Sequence, residues 1–291
     1  MQILLHRFKA MGGPGQIQLP DTPQAQSALH AALAELQRLE AQYSRYRPDS
    51  QVSTINANAG IKPTACDAET ESLLDFAQQL FERSQGLFDI TSGVYRRAWN
   101  FASGQVPEQS LLDQLQPLVG WNKVERDARH IWLPQKGMEI DFGGLVKEYA
   151  VDRACMALQA HGIGSALVSL AGDMRALGIK PDGQPWQAGI AHPRHAGHLS
   201  ASIALHNMAL ATSGDYERVI LLNGQRYAHL IHPHTGWPVS YWQSVSVQAP
   251  SCLVAGSIST LAMLMQDQGL AFLQETGLSF LAIDPNGEAL Q

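Results

Sequence analysis

Past Gly162 the chain breaks into short strand-like runs, and this half of the sequence limits the possible fold more than any other feature. The runs at 166–170, 175–179, 186–191, 199–205, 218–222, 227–231 and 243–247 are parted by turn signals such as PDGQ and LNGQ. Runs this short and this close together pair as antiparallel hairpins, because a parallel pair needs a crossover of a dozen residues or more. Helical spacing lies mostly earlier. Leu29, Ala32, Leu33, Leu36, Leu39 and Tyr43 recur on one face of a helix expected to start with Thr22 as N-cap and Pro23 at the first helical position. Further helices are expected at 67–84, 110–118, 145–160 and 252–265, and strands at 3–19 (two, with a bend at 11–15), within 123–141 and at 279–283. Helices early and antiparallel strands late make an α+β fold. Without a repeat, a low-complexity tract or a linker, residues 1–291 are expected to form a single composite domain with antiparallel sheets and packed helices.

Composition excludes several classes. With 45% hydrophobic and 16% charged residues the chain matches an ordinary globular protein, and no apolar run approaches a membrane span. A formal net charge of -6 argues against nucleic-acid binding, which draws on a basic face. Cys66, Cys155 and Cys252 are far apart and form no C-x-x-C pair, so they are expected to be buried free thiols. The opening MQILLHRFKAMGG lacks the apolar stretch of a secretory signal and no lipobox-like cysteine follows, which predicts a cytoplasmic location.

The motifs of dinucleotide-fold oxidoreductases, P-loop NTPases, α/β-hydrolases and serine β-lactamases are all missing. What the chain does carry is IDFGGLVKEYAVD at 140–152. Asp141 is expected at the mouth of a strand, Gly143 and Gly144 admit close backbone approach, the following helix offers unpaired N–H groups to an anion, and Lys147 adds a positive charge. The same residues also suit an ordinary strand-to-helix turn, with Asp141 as cap and Lys147 solvated. SRYRPDSQVSTIN at 44–56 sets Tyr46 among hydroxyls and Asn56, suited to stacking on a flat ring, or else forms a loop in which Asp49 or Ser50 starts a short helix. In GLFDITSGVYRRAW at 86–99, strand alternation would bury Phe88 and Ile90 and turn Asp89 and Thr91 the other way. Two histidine clusters, HPRHAGH at 192–198 and HLIHPHTG at 229–236, raise the alternative of a zinc site.

In order along the chain, FKAMGG, SRYRPDSQVSTIN, GLFDITSG, IDFGGLVKEYAVD, AGD (171–173), ATSGDY (211–216), HLIHPHTG and APSCLVAGSIST resemble the ApbE family of FAD:protein FMN transferases. The resemblance covers nearly the whole chain. It implies an FAD substrate, magnesium beside the pyrophosphate, and transfer of FMN to a threonine or serine hydroxyl of an acceptor protein with release of AMP. Carried over, Met11 and Tyr46 would contact the flavin or the adenine end, and Phe88 and Asp89 would line the FAD cleft. Asp141 and Lys147 would hold the nucleotide, and His229, with Ile231 nearby, would contact the flavin or act as the catalytic base. The Gly144 carbonyl and Thr260 would meet the metal.

The chain departs from this pattern at several positions. Gly256 stands where the family has its magnesium-binding aspartate, and Glu148 replaces a usual glycine. Gly13 replaces a usual threonine, Ser169 and Ala171 alter the usual N-x-G-G-D, and His232 replaces the aspartate of D-P-x-T-G. The loss at Gly256 suggests an alternative, an FAD-binding homologue with weak or lost transferase activity, in which Gly256→Asp would raise magnesium affinity. A histidine-site metal hydrolase is a third reading.

Overall fold

The computed structural model describes residues 2–291. The chain opens with strands β1 (Ile3–Ala10) and β2 (Gly13–Pro20), followed by helices α1 (Ala25–Tyr43) and α2 (Gln51–Ala57). A short strand β3 (Thr64–Ala65) precedes helix α3 (Ala68–Arg83), a 3-10 helix (Ile90–Arg97) and helix α4 (Gln109–Leu115). Strands β4 (Glu125–Arg126) and β5 (His130–Trp132) lead towards helix α5 (Val146–Ala160). Strands β6 (Ala166–Leu170), β7 (Asp173–Leu177), β8 (Trp186–Ala191), β9 (Leu199–Leu205) and β10 (Ala209–Gly214) follow. After strands β11 (Val219–Leu222), β12 (Gln225–Ala228) and β13 (Ser244–Ala249) come helices α6 (Cys252–Leu264) and α7 (Gly269–Thr276). Strands β14 (Ser279–Ile283) and β15 (Ala289–Leu290) end the chain.

Eight strands form one sheet in the order β1-β2-β6-β7-β10-β13-β14-β15, and every neighbouring pair is antiparallel. Its central strands are covered on both faces. Ala166, Val168 and Leu170 join the core beneath α1 and α5, whereas Leu167 packs with Trp186, Ala188 and Leu205 of the β8–β9 hairpin. Period-two alternation therefore separates two hydrophobic layers rather than core from solvent. Helix α1 lies along α5, and α6 lies on β10 and β13. The start of α5 and one face of α6 are thereby brought over the sheet.

Several expected elements are displaced. Helix α1 starts two residues later than Pro23, with Gln24 at its N-cap, because the Ala25 amide bonds back to the Thr22 carbonyl in a turn. Of the stretch expected to be strand-like, 123–141, only the short β4 and β5 form, and 133–141 is not a strand. Instead the Asn56 side chain serves as a substitute strand partner, donating to the Ile140 carbonyl at 3.0 Å and accepting from the Ile140 amide at 2.7 Å. Residues 86–99 are not a strand either, since Asp89 caps the 3-10 helix and Phe88, Asp89, Ile90 and Thr91 are all buried. Strand β10 overlaps the first four residues of ATSGDY, a stretch whose small residues hide its pairing tendency. Cys155 and Cys252 are buried free thiols, while Cys66 is half-buried. Among the described residues no helix is long and apolar enough to cross a membrane.

Candidate functional site

At the start of α5, Lys147 meets two carboxylates. Its ammonium hydrogen-bonds the Asp173 carboxylate and lies 3.3 Å from Glu148 Oε1. Asp173, only 1% exposed, starts β7 and also accepts from the Thr212 amide of β10 at 3.0 Å. Burial alone would depress the Lys147 ammonium, but Glu148 and Asp173 outweigh it and hold its pKa well above the ordinary range. Glu148 is 6% exposed. Burial pushes its carboxyl up to about 7; Lys147 opposes that shift and Asp173 adds to it. Its Oε2 is buried with no hydrogen-bond partner.

Helix α6 lies against this cluster. A Cβ built on Gly256 would stand 2.5 Å from Glu148 Cγ, so the Glu148 side chain occupies the volume that a side chain at 256 would need. Thr260 lies one turn further on, and its hydroxyl is 3.1 Å from that of Ser213, which also bonds Ser259 at 2.8 Å. Asp152, the last residue of the IDFGGLVKEYAVD stretch, fixes the two helices together. It accepts from the Cys252 and Leu253 amides at 2.9 Å each, and from Arg175 at 2.7 Å. An acidic side chain of α5 thus caps the first turn of α6, where the helix dipole favours negative charge.

On the other side of the double glycine, Asp141 forms a buried-edge ion pair with Arg45 and accepts from the Gly143 amide at 2.9 Å. Arg45 continues the chain to Tyr46, donating to its hydroxyl at 2.9 Å with the guanidinium 5.0 Å from the ring centre. Tyr46 is 76% exposed, presenting a free aromatic face. Of the amides at the start of α5, those of Leu145 and Val146 bond the Phe142 carbonyl in the tightening turn, whereas those of Lys147 and Glu148 make no backbone hydrogen bond among the described residues. The side-chain cations here, Lys147 and Arg45, are each paired with carboxylates. The Phe88 ring lies 3.6 Å from where a Cβ on Gly144 would be. Asp89 is committed elsewhere: its carboxylate accepts from the Thr91 amide at 2.7 Å, the Thr91 hydroxyl at 2.6 Å and the Trp121 amide at 2.9 Å. It shapes the wall behind Phe88 and offers no free oxygen to a cleft.

Met11 adopts a left-handed conformation (φ 50) and its amide donates to Glu40 at 2.7 Å. Beside it, Arg218 reaches to 3.6 Å from the Cβ position of Gly12. Close packing, then the charges of Arg218 and Lys147, depress the His229 imidazole to about 4. His229 keeps an exposed edge, and the neighbouring Arg218 and Lys147 cations oppose its protonation. Ile231 pairs with Pro238 and packs on the Val94, Tyr95 and Trp99 cluster, away from Lys147. Of the residues singled out from the sequence, Lys147, Gly256 and Thr260 come together on the α5–α6 face, and Gly144 meets Phe88. Arg45, Asp152, Asp173 and Arg218 contribute without having been singled out, although all but Arg218 lie inside the motifs named from the sequence.

Neither histidine cluster makes a metal centre: among the described residues no three His, Cys, Asp or Glu side chains are placed to hold a metal ion. His192 instead accepts from the Arg194 and His195 amides within its own loop. Two surface hollows, one beside Arg194 and Asp215 and the other beside Leu112 and Trp237, are lined by neither Lys147 nor Asp173. Charge convergence at an open surface, rather than enclosure, marks the site.

A family model described as ApbE family matches residues 11–282. A Haemophilus influenzae protein named FAD:protein FMN transferase is 31% identical over 265 residues, 86% of this chain and 76% of that relative. A Treponema pallidum protein of the same name is 32% identical over 283 residues, 89% of this chain and 78% of that relative. Among solved structures, the ApbE protein of Thermotoga maritima superposes with a TM-score of 0.91 at 28% identity, covering 100% of this chain and 97% of that one. The apo flavinyl transferase ApbE of Pseudomonas stutzeri gives a TM-score of 0.86 at 28% identity, over 99% of this chain and 93% of that one.

Proposed function

This chain belongs to the ApbE family, and on that premise we propose that it is an FAD:protein FMN transferase, moving FMN from FAD to a threonine or serine hydroxyl of an acceptor protein with release of AMP. The observation that carries this reading is the Lys147–Asp173–Glu148 cluster beside the exposed Gly143–Gly144 turn, whose paired carboxylates and ammonium suit a pyrophosphate that arrives with a divalent cation.

Phosphoryl transfer asks a protein to hold the phosphates, align the attacking hydroxyl and take its proton. Lys147 stays protonated and, anchored by Asp173 and Glu148, can offer a positioned N–H donor to a phosphate oxygen, its charge being balanced by those carboxylates. Tyr46 offers its exposed ring for stacking, steadied by Arg45 and, through it, Asp141. His229, held neutral at pH 7 by its surroundings, can receive the hydroxyl proton on an imidazole nitrogen. The acceptor oxygen then bonds to the flavin-side phosphorus, the bond from that phosphorus to the bridging oxygen breaks, and AMP leaves with that oxygen.

The residues fit a magnesium ion, because Glu148 Oε2 is a buried carboxyl oxygen with no hydrogen-bond partner among the described residues, against the helix that carries Thr260, and a bound cation would favour its ionised form. Glu148, Thr260 and the Gly144 carbonyl would hold it. When bound, the ion supplies neutralisation of the pyrophosphate charge. Incubating the protein with FAD and magnesium chloride plus an acceptor peptide carrying an exposed threonine is expected to release AMP and turn the peptide yellow. Absence of AMP with every divalent cation tried would overturn the reading.

A further inference from the structure

We propose that Glu148 supplies, from α5, the metal-binding carboxylate that position 256 of α6 lacks. The inference rests on the metal-assisted reading above and concerns which residue of this chain serves it. A Cβ on Gly256 would lie 2.5 Å from Glu148 Cγ, 3.1 Å from Cδ and 3.2 Å from Oε1. Real side chains do not approach that closely, so a glutamate at 148 in this rotamer and a side chain at 256 exclude one another. The carboxyl group has changed helices while its place in space has been kept.

The chemistry of the free oxygen points the same way. A carboxylate taken out of water is normally satisfied by donors, and leaving an oxygen without one costs a sizeable fraction of the hydrogen-bond energy. Glu148 Oε2 has none. Neutralising Lys147 does not account for it, since Asp173 already bonds that ammonium more closely and Glu148 reaches it only through Oε1 at 3.3 Å. Thr260, four residues after Gly256, lies on the face of α6 that Glu148 packs against, one turn from it, and carries a second hard oxygen donor.

A second pair of departures behaves alike. Gly13, where threonine is usual, would with a Cβ meet Ala171 Cβ at 2.6 Å, and Ala171 itself stands where glycine is usual. In both pairs a glycine at one position leaves room for the side chain gained at the other.

Manganese binding by the full-length chain tests the proposal, titrated by electron paramagnetic resonance with and without FAD, and compared for wild type, Glu148→Gln and the exchange Glu148→Gly/Gly256→Asp. The expected result is at least a tenfold weaker manganese affinity for Glu148→Gln, on the order of the loss when a metal-site group is removed, and recovery to within a few-fold in the exchange variant. Wild-type affinity in folded Glu148→Gln would overturn the proposal, as would an exchange variant that folds but binds no manganese. Should Glu148→Gln not fold, the exchange variant alone decides. FAD affinity, followed by flavin fluorescence without metal, separates the two readings: a wild type that ignores FAD contradicts the transferase function, while the manganese titration without FAD still judges Glu148.

Discussion

At the scale of single residues, the departures from the family pattern make sense only in pairs. Gly256 on its own looks like a lost metal ligand, and Gly256→Asp looks like a repair; the structure reverses that expectation, because the new side chain would collide with Glu148. The Gly13–Ala171 pair gives a test free of any catalytic assumption. Gly13→Thr is expected to cost about 1–3 kcal/mol by overpacking against Ala171, and the double variant Gly13→Thr/Ala171→Gly to recover most of it, as read by denaturant unfolding. Equal stability of the single and double variants would refute the coupling. His229 gives a pH test. With its imidazole depressed to about 4 by packing and by Arg218 and Lys147, it stays neutral, and so able to accept a proton, as pH falls below the ordinary histidine value of 6.5. The acidic limb of the AMP-release rate assigned to His229 should therefore lie well below pH 6.5, and Arg218→Gln, which removes one cation, should move it upward. A limb near 6.5 that Arg218→Gln leaves in place would contradict this electrostatic account. None of these couplings could be read along the sequence, where Gly13 and Ala171, or Glu148 and Gly256, are far apart and meet only after the sheet and helices assemble.

At the scale of elements, periodicity located most strands and helices to within a few residues, because their burial patterns are regular. It failed where side chains replace backbone partners. The end of the expected strand stretch, 133–141, is apolar enough to suggest pairing, yet Ile140 pairs with the Asn56 side-chain amide and the Asp141 amide with the Ile90 carbonyl, contacts that no local pattern encodes. The α5–α6 junction is the same kind of case. Asp152 reads as one more polar helix residue, but its carboxylate caps α6 and pairs with Arg175. Asp152→Ala removes a helix cap and a charged hydrogen bond together, and is expected to destabilise the protein by about 2–3 kcal/mol. Because α6 carries Thr260, the same variant should also weaken manganese binding, whereas Asp152→Asn, which keeps one acceptor oxygen, should fall between it and wild type. An Asp152→Ala protein with unchanged stability would show that the cap does not hold the helices together.

At the scale of the whole molecule, the antiparallel sheet is a platform buried on both faces, with the β8–β9 hairpin below and helices α1, α5 and α6 above. Its order brings β7 and β10 side by side, so Asp173 and Thr212 meet under the start of α5 and segments distant in sequence converge on Lys147. The α+β class and the single composite unit were legible because strand runs and helical stripes segregate along the chain. The charged site was legible only in outline, since Lys147 advertises itself while its partners come from other strands and helices. The account stands or falls on whether cleavage of FAD is coupled to transfer. The direct measurement is the ratio of AMP released to FMN-bearing acceptor, with AMP quantified by chromatography and the acceptor by intact mass. One AMP for each acceptor that gains an FMN is the predicted result; AMP released without any flavin on the acceptor would contradict it.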